Sequence, residues 1–266
     1  MASSRYWQTN SGLITTTGGI VLVDAGVFPH EMESLAQITR GTRIVAGIST
    51  HEHWDHLLWS EALGADVLRY ASLRTTRAAG TDRDRLLQRL EREEARWSVS
   101  WDRFLFGRVT AHDADELPAL SPRIQLIDMA GHAAGQIGVW VEGVDVLFAA
   151  DTASDIDPPA LPDDLEGVTR YISTLHRMLE TIGDASVIVP GHGTPCLPAE
   201  ARRRLIRDRR YLDVILEEAR PDDTPPDVLV TSKRIAAMLD DPRLSSSGGW
   251  QLHLENVALL LGASRP

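Results

Sequence analysis

The feature that most constrains this chain is six residues long: His51-Glu52-His53-Trp54-Asp55-His56. Imidazoles and a carboxylate crowded this closely bury no apolar surface, and what they share chemically is affinity for borderline divalent ions. His51 and His53 stand two apart and can turn toward one ion, while Asp55 and His56 are adjacent and can face a second. The bland alternative is a solvated histidine-rich turn. Before the motif, Ile44-Val-Ala-Gly-Ile-Ser-Thr50 is an apolar run of strand length; after it, Leu57, Leu58, Trp59, Ala62 and Leu63 recur at helical spacing. The motif is therefore expected on a strand-to-helix loop, where rigid elements hold a ligand.

The same device recurs along the chain. Residues 13–17 and 20–23 read as a hairpin turning on Gly18-Gly19, and its second strand ends in Asp24. That carboxylate is placed either to hydrogen-bond a ligand histidine from behind or to cap a turn. Residues 124–128 lead to His132 between Gly131 and Gly135, residues 144–150 to Asp151, and residues 187–190 to His192. Each is unremarkable alone. With the first motif they make seven ligand-type groups, namely His51, His53, Asp55, His56, His132, Asp151 and His192. That number suits two metal ions with a shared carboxylate and positions left open for water. His30, His112, His176 and His253 lie in helical or polar contexts and are left out.

Elsewhere, residues 30–40 read as an amphipathic helix and 65–70 as a strand. Residues 82–106 are dense in Arg and Glu, with Leu86, Leu87, Leu90 and Trp97 at helical spacing. Three helices, 198–219, 228–239 and 250–261, are expected to close the chain, with a short break at 221–226. A hydrophobic share of 43% over 266 residues supports one large core, and one domain over 1–266 is expected. Within it, 70–118 is read as a helical insertion on the substrate side and 198–266 as a helical C-terminal part.

Charge narrows the partners. A net charge of -11 argues against a nucleic-acid footprint, which needs a concentrated basic face, and points to a small-molecule substrate. The single cysteine, Cys196, excludes an intramolecular disulfide, and the N-terminus lacks the apolar core of a secretion signal. A cytoplasmic location without membrane insertion is the expectation; the oligomeric state is not legible.

In this order, each after a strand, the seven residues resemble the metallo-β-lactamase superfamily of hydrolases, over about residues 13–195 and including Val23-Asp24-Ala25-Gly26. The resemblance implies an α+β fold, a four-layer αββα sandwich with C-terminal helices. It implies a first metal on His51, His53 and His132, a second on Asp55, His56 and His192, and Asp151 as the bridge. Zinc is the usual occupant, with iron or manganese in relatives. True β-lactamases of the superfamily usually carry Cys, Ser or His near the Asp151 position and are exported, so the chain looks closer to the glyoxalase II and lactonase branches. Yet the Gly-Cys-Gly-Arg element of the first branch is absent after Asp151, and the tyrosine of the homoserine-lactone hydrolases is replaced by Ser154. Neither substrate carries over.

The function expected is hydrolysis of an ester, thioester, lactone or lactam by a hydroxide shared between two metals, with Asp55 both ligating and orienting the nucleophile or shuttling its proton. An iron-dependent oxygenase is the alternative, and a non-catalytic metal-binding protein a weaker one. Trp97, Trp101, Phe104 and Phe106 are out of proportion to a 6% aromatic content and read as a substrate wall, with Arg103 or Arg108 as a carboxylate contact. The competing reading makes these aromatics core; the pocket then belongs to residues 155–164 or the surroundings of His253.

Overall fold

A strand apolar at every position must be covered on both faces, and the strand Gly19–Val23 is one. In the computed structural model, which describes residues 1–112, 114–117, 120–162, 165–219 and 227–263, that strand is the third of six in a mixed sheet. The strands are β1 (Ala2–Ser3), β2 (Asn10–Thr16), β3 (Gly19–Val23), β4 (Ile44–Ile48), β5 (Arg69–Ala71) and β6 (Thr110–Ala111), lying side by side in chain order. A second sheet runs β10-β9-β8-β7, from β7 (Ile124–Asp128), β8 (Ile137–Val141), β9 (Val146–Phe148) and β10 (Val187–Val189).

The period-two alternation of β3 sorts its side chains between two cores. Val21 and Val23 join Ile14, Ala46 and Ile48 against Ile124, Val139, Val141 and Phe148 of the second sheet, so this cluster fills the space between the sheets. Ile20 and Leu22 point the other way, onto Met32 and Leu35 of α1 (Pro29–Ile38) and onto Leu90 of α3 (Arg83–Trp97), which α2 (Leu73–Thr81) precedes. The outer face of the second sheet is covered by α4 (Leu165–Thr181), α5 (Pro198–Glu218), α6 (Val228–Leu239) and α7 (Ser247–Leu260), with Tyr171, Leu205, Tyr211, Ile235 and Val257 in one cluster with Leu147 and Ile188. The layers run helix, sheet, sheet, helix, the α+β sandwich anticipated.

Strand direction gathers the loops. β3, β4, β5 and β6 are mutually parallel. β7 is antiparallel to β8, β8 to β9, and β9 is parallel to β10, so β7, β9 and β10 also point one way. The two rims are tied together by Ile137 N–H donating to Thr50 O at 2.9 Å and Asn10 N–H donating to Gly191 O at 2.7 Å. Every loop expected to carry a ligand therefore opens on one edge.

Several local expectations are corrected. No α-helix follows the first motif; Trp54–His56 and Glu61–Leu63 are short 3-10 turns. Leu57, Leu58 and Trp59 are all buried, and three successive residues span too wide an arc for one helical face. β5 and β9 are shorter than the apolar runs around them, since Val144 is exposed and Asp145 turns the chain at φ 51°. Residues 70–118 are only partly helical, because β5 and β6 extend the first sheet. Helix α4 was not anticipated, although Val168, Tyr171, Leu175 and Met178 recur at 3.6-residue spacing and are buried. The break at 221–226 lies outside the described residues. Among the described residues no helix is long and apolar enough to cross a membrane.

Candidate metal centre

All seven ligand candidates meet at the loop edge. His51, His53, His132 and Asp151 offer ligand atoms within 4.8 Å of one another, and so do Asp55, His56 and His192. In the first group His53 Nδ1 lies 3.0 Å from His51 Nε2 and 2.9 Å from His132 Nε2, and Asp151 Oδ2 lies 3.6 and 3.2 Å from those two Nε2 atoms. In the second, Asp55 Oδ2 is 3.5 Å from His56 Nε2 and 3.4 Å from His192 Nε2. Asp151 reaches this group too, with Oδ1 3.3 Å from His56 Nε2 and Oδ2 3.2 Å from His192 Nε2. One carboxylate thus faces both sets.

The far nitrogens of three rings, His51, His56 and His192, are already committed, which fixes which atom of each faces inward. His56 Nδ1 donates to Asp24 Oδ2 at 2.9 Å, and His192 Nδ1 donates to the Trp7 carbonyl at 3.1 Å. Thr50 Oγ1 donates to Asp24 Oδ2 at 2.8 Å and accepts from His51 Nδ1 at 3.1 Å. Asp24 is buried, sits at φ 48° and also accepts from Thr50 N–H at 2.9 Å. Asp24, Ala150 and Ala153 all lie in the left-handed region, and such strain, about 1–3 kcal/mol a residue, concentrates at functional sites.

The arrangement fits a pair of cations. His53 Nδ1 faces two other ring nitrogens and carries at most one proton between them, so without a cation lone pairs point at one another. Asp151 Oδ1 is buried and accepts no hydrogen bond among the described residues. Burial holds His51 well below the usual imidazole range, ready as a neutral ligand. Burial opposes charge on His56 and His192 as well, but Asp151 and Asp55 outweigh it and push these rings up to about 10 and about 9. Buried carboxylates attract protons onto the second set where a divalent ion would otherwise stand.

Loop anchoring explains how separate strands reach one point. Gly131 admits the His132 loop against α4, where a Cβ would stand 2.6 Å from Tyr171 Cα. After Asp151, residues 153–161 are clamped from the C-terminal helices. Arg204 Nη1 donates to Ala153 O at 3.3 Å, Arg207 Nη2 to Ser154 O at 3.2 Å, and Arg243 Nη1 to Asp157 O at 2.8 Å. Asn256 receives Leu161 N–H at 2.9 Å and donates to Pro159 O at 2.8 Å.

The histidine motifs, the strand order and the two-sheet fold coincide with a family model, described as the metallo-beta-lactamase superfamily, that matches residues 5–192. The chain belongs to the metallo-beta-lactamase superfamily. Its members are metallo-hydrolases, and the matched span ends on His192, so α5–α7 lie beyond it. No curated protein sequence matches the chain. A β-lactamase domain protein from Burkholderia ambifaria shares the fold at TM-score 0.62 and 18% identity, over 96% of this chain and 82% of that one. TTHA1623, solved in a di-iron-bound form, shares it at 0.57 and 22%, over 76% and 96%. The sec-alkylsulfatase Pisa1 from Pseudomonas sp. does so at 0.62 and 14%, over 95% of this chain but 47% of its own.

The superfamily site opens into a cleft of about 610 Å³. Its lining corrects the expected substrate wall, because Trp97, Trp101, Phe104 and Phe106 are not part of it. Trp101 and Phe106 are core, the former donating from Nε1 to Val27 O at 2.6 Å. Trp97 packs edge-on against Tyr6 and Phe28, while Phe104 is 70% exposed with Arg108 over its ring. Arg103 pairs with Glu94. Two of the four rings are thus buried in the core beside α1 and α3 and the other two are exposed, all outside the cleft lining. The cleft is instead walled by α3 through Arg85, Leu86, Arg89 and Arg92, by residues 157–162, by α7, and by Tyr6 and Trp7 of the N-terminal loop. Residues 155–164, the fallback, thus do contribute, with 163 and 164 outside the described residues. The surroundings of His253 contribute too, through Gln251, Leu252, Glu255 and Asn256, while His253 itself is buried between Tyr211 Oη at 2.9 Å and Ser232 O at 3.0 Å. Tyr6, Trp7 and the α3 arginines were missed. The spacing Arg85, Arg89, Arg92 was their one sequence signal.

Proposed function

We propose that the protein is a dinuclear metal-dependent hydrolase of a small molecule, cleaving an ester, thioester, lactone or lactam bond. The observation that carries this reading is Asp151, whose carboxylate faces both ligand sets while its Oδ1 lacks any hydrogen bond among the described residues. His51, His53 and His132 would hold one ion, Asp55, His56 and His192 the other, and Asp151 both. Two divalent ions there would supply a water acidified toward neutrality and a polarised carbonyl.

The chain's own residues do the rest. Asp55 stands at the inner end of the cleft and accepts or returns the proton of the attacking water. Asp24 holds His56 by its Nδ1 and so keeps Nε2 aimed inward. Tyr6 and Trp54 pack edge-on at 5.0 Å beside the motif and exclude solvent from that side. The donor set is nitrogen and oxygen throughout, which suits zinc, iron and manganese alike. The di-iron relative supports a second reading, an oxygen-activating iron site.

Elemental analysis of protein purified without added metal, a panel of esters, thioesters, lactones and β-lactams, and oxygen uptake separate the readings. Hydrolysis abolished by chelator and restored by one metal supports the hydrolase. Full activity of metal-free protein, or oxygen consumption without hydrolysis, would sink it. Asp151→Ala is expected to lose the second metal and collapse turnover, since the bridging charge offsets repulsion between the cations.

A further inference from the structure

The hydrolase reading leaves one wall of the cleft unexplained. Arg85, Arg89 and Arg92 stand at i, i+4 and i+7, on one face of α3 and around Leu86, and all of them line the cleft. The helix packs on the core through Leu90 and Glu93, with Leu86 and Leu87 partly buried against the same cluster, and the three arginines stand beside that packed side. It rests on the Trp54–His56 turn of the metal loop, so its guanidiniums border the space the ligand residues face. Three cations on one wall stand out in a chain of net charge -11, and a cleft concentrates their field.

The arginines differ in how they are held. Arg89 Nη2 lies 2.9 Å from Oε1 of buried Glu93, which also accepts from Trp97 Nε1 at 3.1 Å, so its fork is fixed in place. Arg92 is exposed and has neither a hydrogen bond nor an ion pair among the described residues. Of the other carboxylates lining the cleft, Glu52 accepts from Thr75 Oγ1 at 3.0 Å, Glu255 from Gln251 Nε2 at 3.1 Å and Asp208 from Arg243 Nη1 at 2.6 Å, while Asp82 stands at the start of α3 and Asp157 on the wall of residues 157–162. Facing α3, Pro158, Pro159, Leu161 and Leu252 make an apolar wall.

Resting on the hydrolase reading, we propose that the α3 wall is an anion subsite in which Arg92, with Arg89 behind it, holds a carboxylate at the far end of the substrate's acyl group. The substrate class is then an acyl compound with an apolar body along the proline wall, a scissile carbonyl at the metal centre and a terminal carboxylate. A guanidinium fork matches a carboxylate with two parallel hydrogen bonds, a recognition that a lone ammonium does not reproduce. The subsite acts on binding, so its signature lies in KM for anionic substrates.

The test pairs mono-para-nitrophenyl suberate, which ends in a carboxylate, with its neutral methyl-capped diester. Both are assayed on the metal-loaded wild-type protein, Arg92→Gln and Arg92→Glu, with calorimetric binding of suberate alongside. Wild type is expected to prefer the anionic ester, the anionic-to-neutral ratio of kcat/KM to fall about tenfold in Arg92→Gln, mostly through KM, and to fall further in Arg92→Glu. Added salt should erode the wild-type preference. The same ratio in all three proteins overturns the proposal. If wild type hydrolyses neither ester, the hydrolase reading fails for these bonds, and the subsite is judged by calorimetry. Suberate binding weakened about tenfold by Arg92→Gln then supports it, and equal binding overturns it.

Discussion

Adding one methyl group at Gly191 should disable the metal centre without unfolding the protein. A Cβ built on Gly191 falls well inside contact distance of Asp151 Oδ1, and it also meets Ala150 C at 3.0 Å and Ala150 O at 3.1 Å. The backbone there has nowhere to go: Gly191 N–H donates to Ala150 O at 2.5 Å and Gly191 O accepts from Asn10 at 2.7 Å. Gly191 is not among the positive-φ glycines, so alanine adopts its backbone without strain. The carboxylate must therefore yield, and restoring an ordinary separation of roughly 3.5 Å moves its oxygen by more than about 1 Å. Misplacement on that scale costs about 100-fold in turnover, and the bridge it breaks is the group shared by both ligand sets. The assay is elemental analysis and kcat/KM for Gly191→Ala beside wild type, with thermal unfolding of both after chelation. Loss of one metal and of turnover, with metal-free midpoints within about 3 °C, is expected. Two retained metals with turnover within about threefold of wild type would refute the reasoning.

Arg243 is almost wholly buried between Asp208 Oδ1 at 2.6 Å and Asp241 Oδ2 at 2.7 Å; Arg243→Met strands two buried carboxylates and should cost about 3–5 kcal/mol in urea unfolding. A loss below about 1 kcal/mol would show the carboxylates reach water or take up protons without penalty. Trp101→Ala should cost about 3–5 kcal/mol while leaving substrate ranking unchanged; a changed ranking would return Trp101 to the substrate wall. The second metal should bind more weakly as pH falls, because His56 and His192 hold protons up to about 10 and about 9 in the metal-free protein and a cation must displace them. Titration at neutral pH should release between one and two protons with that metal, and pH-independent affinity would contradict it.

What the amino-acid order settles here is short-range. Ligand residues two and three apart in one motif converge on a metal almost whatever the rest of the chain does, and a strand ending in His or Asp delivers that group to the strand's C-terminal edge. The two-faced burial of β3 is likewise written in its consecutive apolar residues, and with it the layered sandwich. The cleft is another matter. Trp97 to Phe106 read as a pocket because aromatics line pockets, but an aromatic ring gains as much from a core, and only packing on Val27 and Phe28 decides between them. Arg243 gives no local signal at all, since a buried arginine and a solvated one look alike in sequence until Asp208, Asp241 and the Asp157 carbonyl are brought around it. The Asp151 bridge stands between these cases. Its residue type was legible, but its contact with both ligand sets exists only because β9 and β10 are parallel neighbours and their loops meet where the two sheets share an edge.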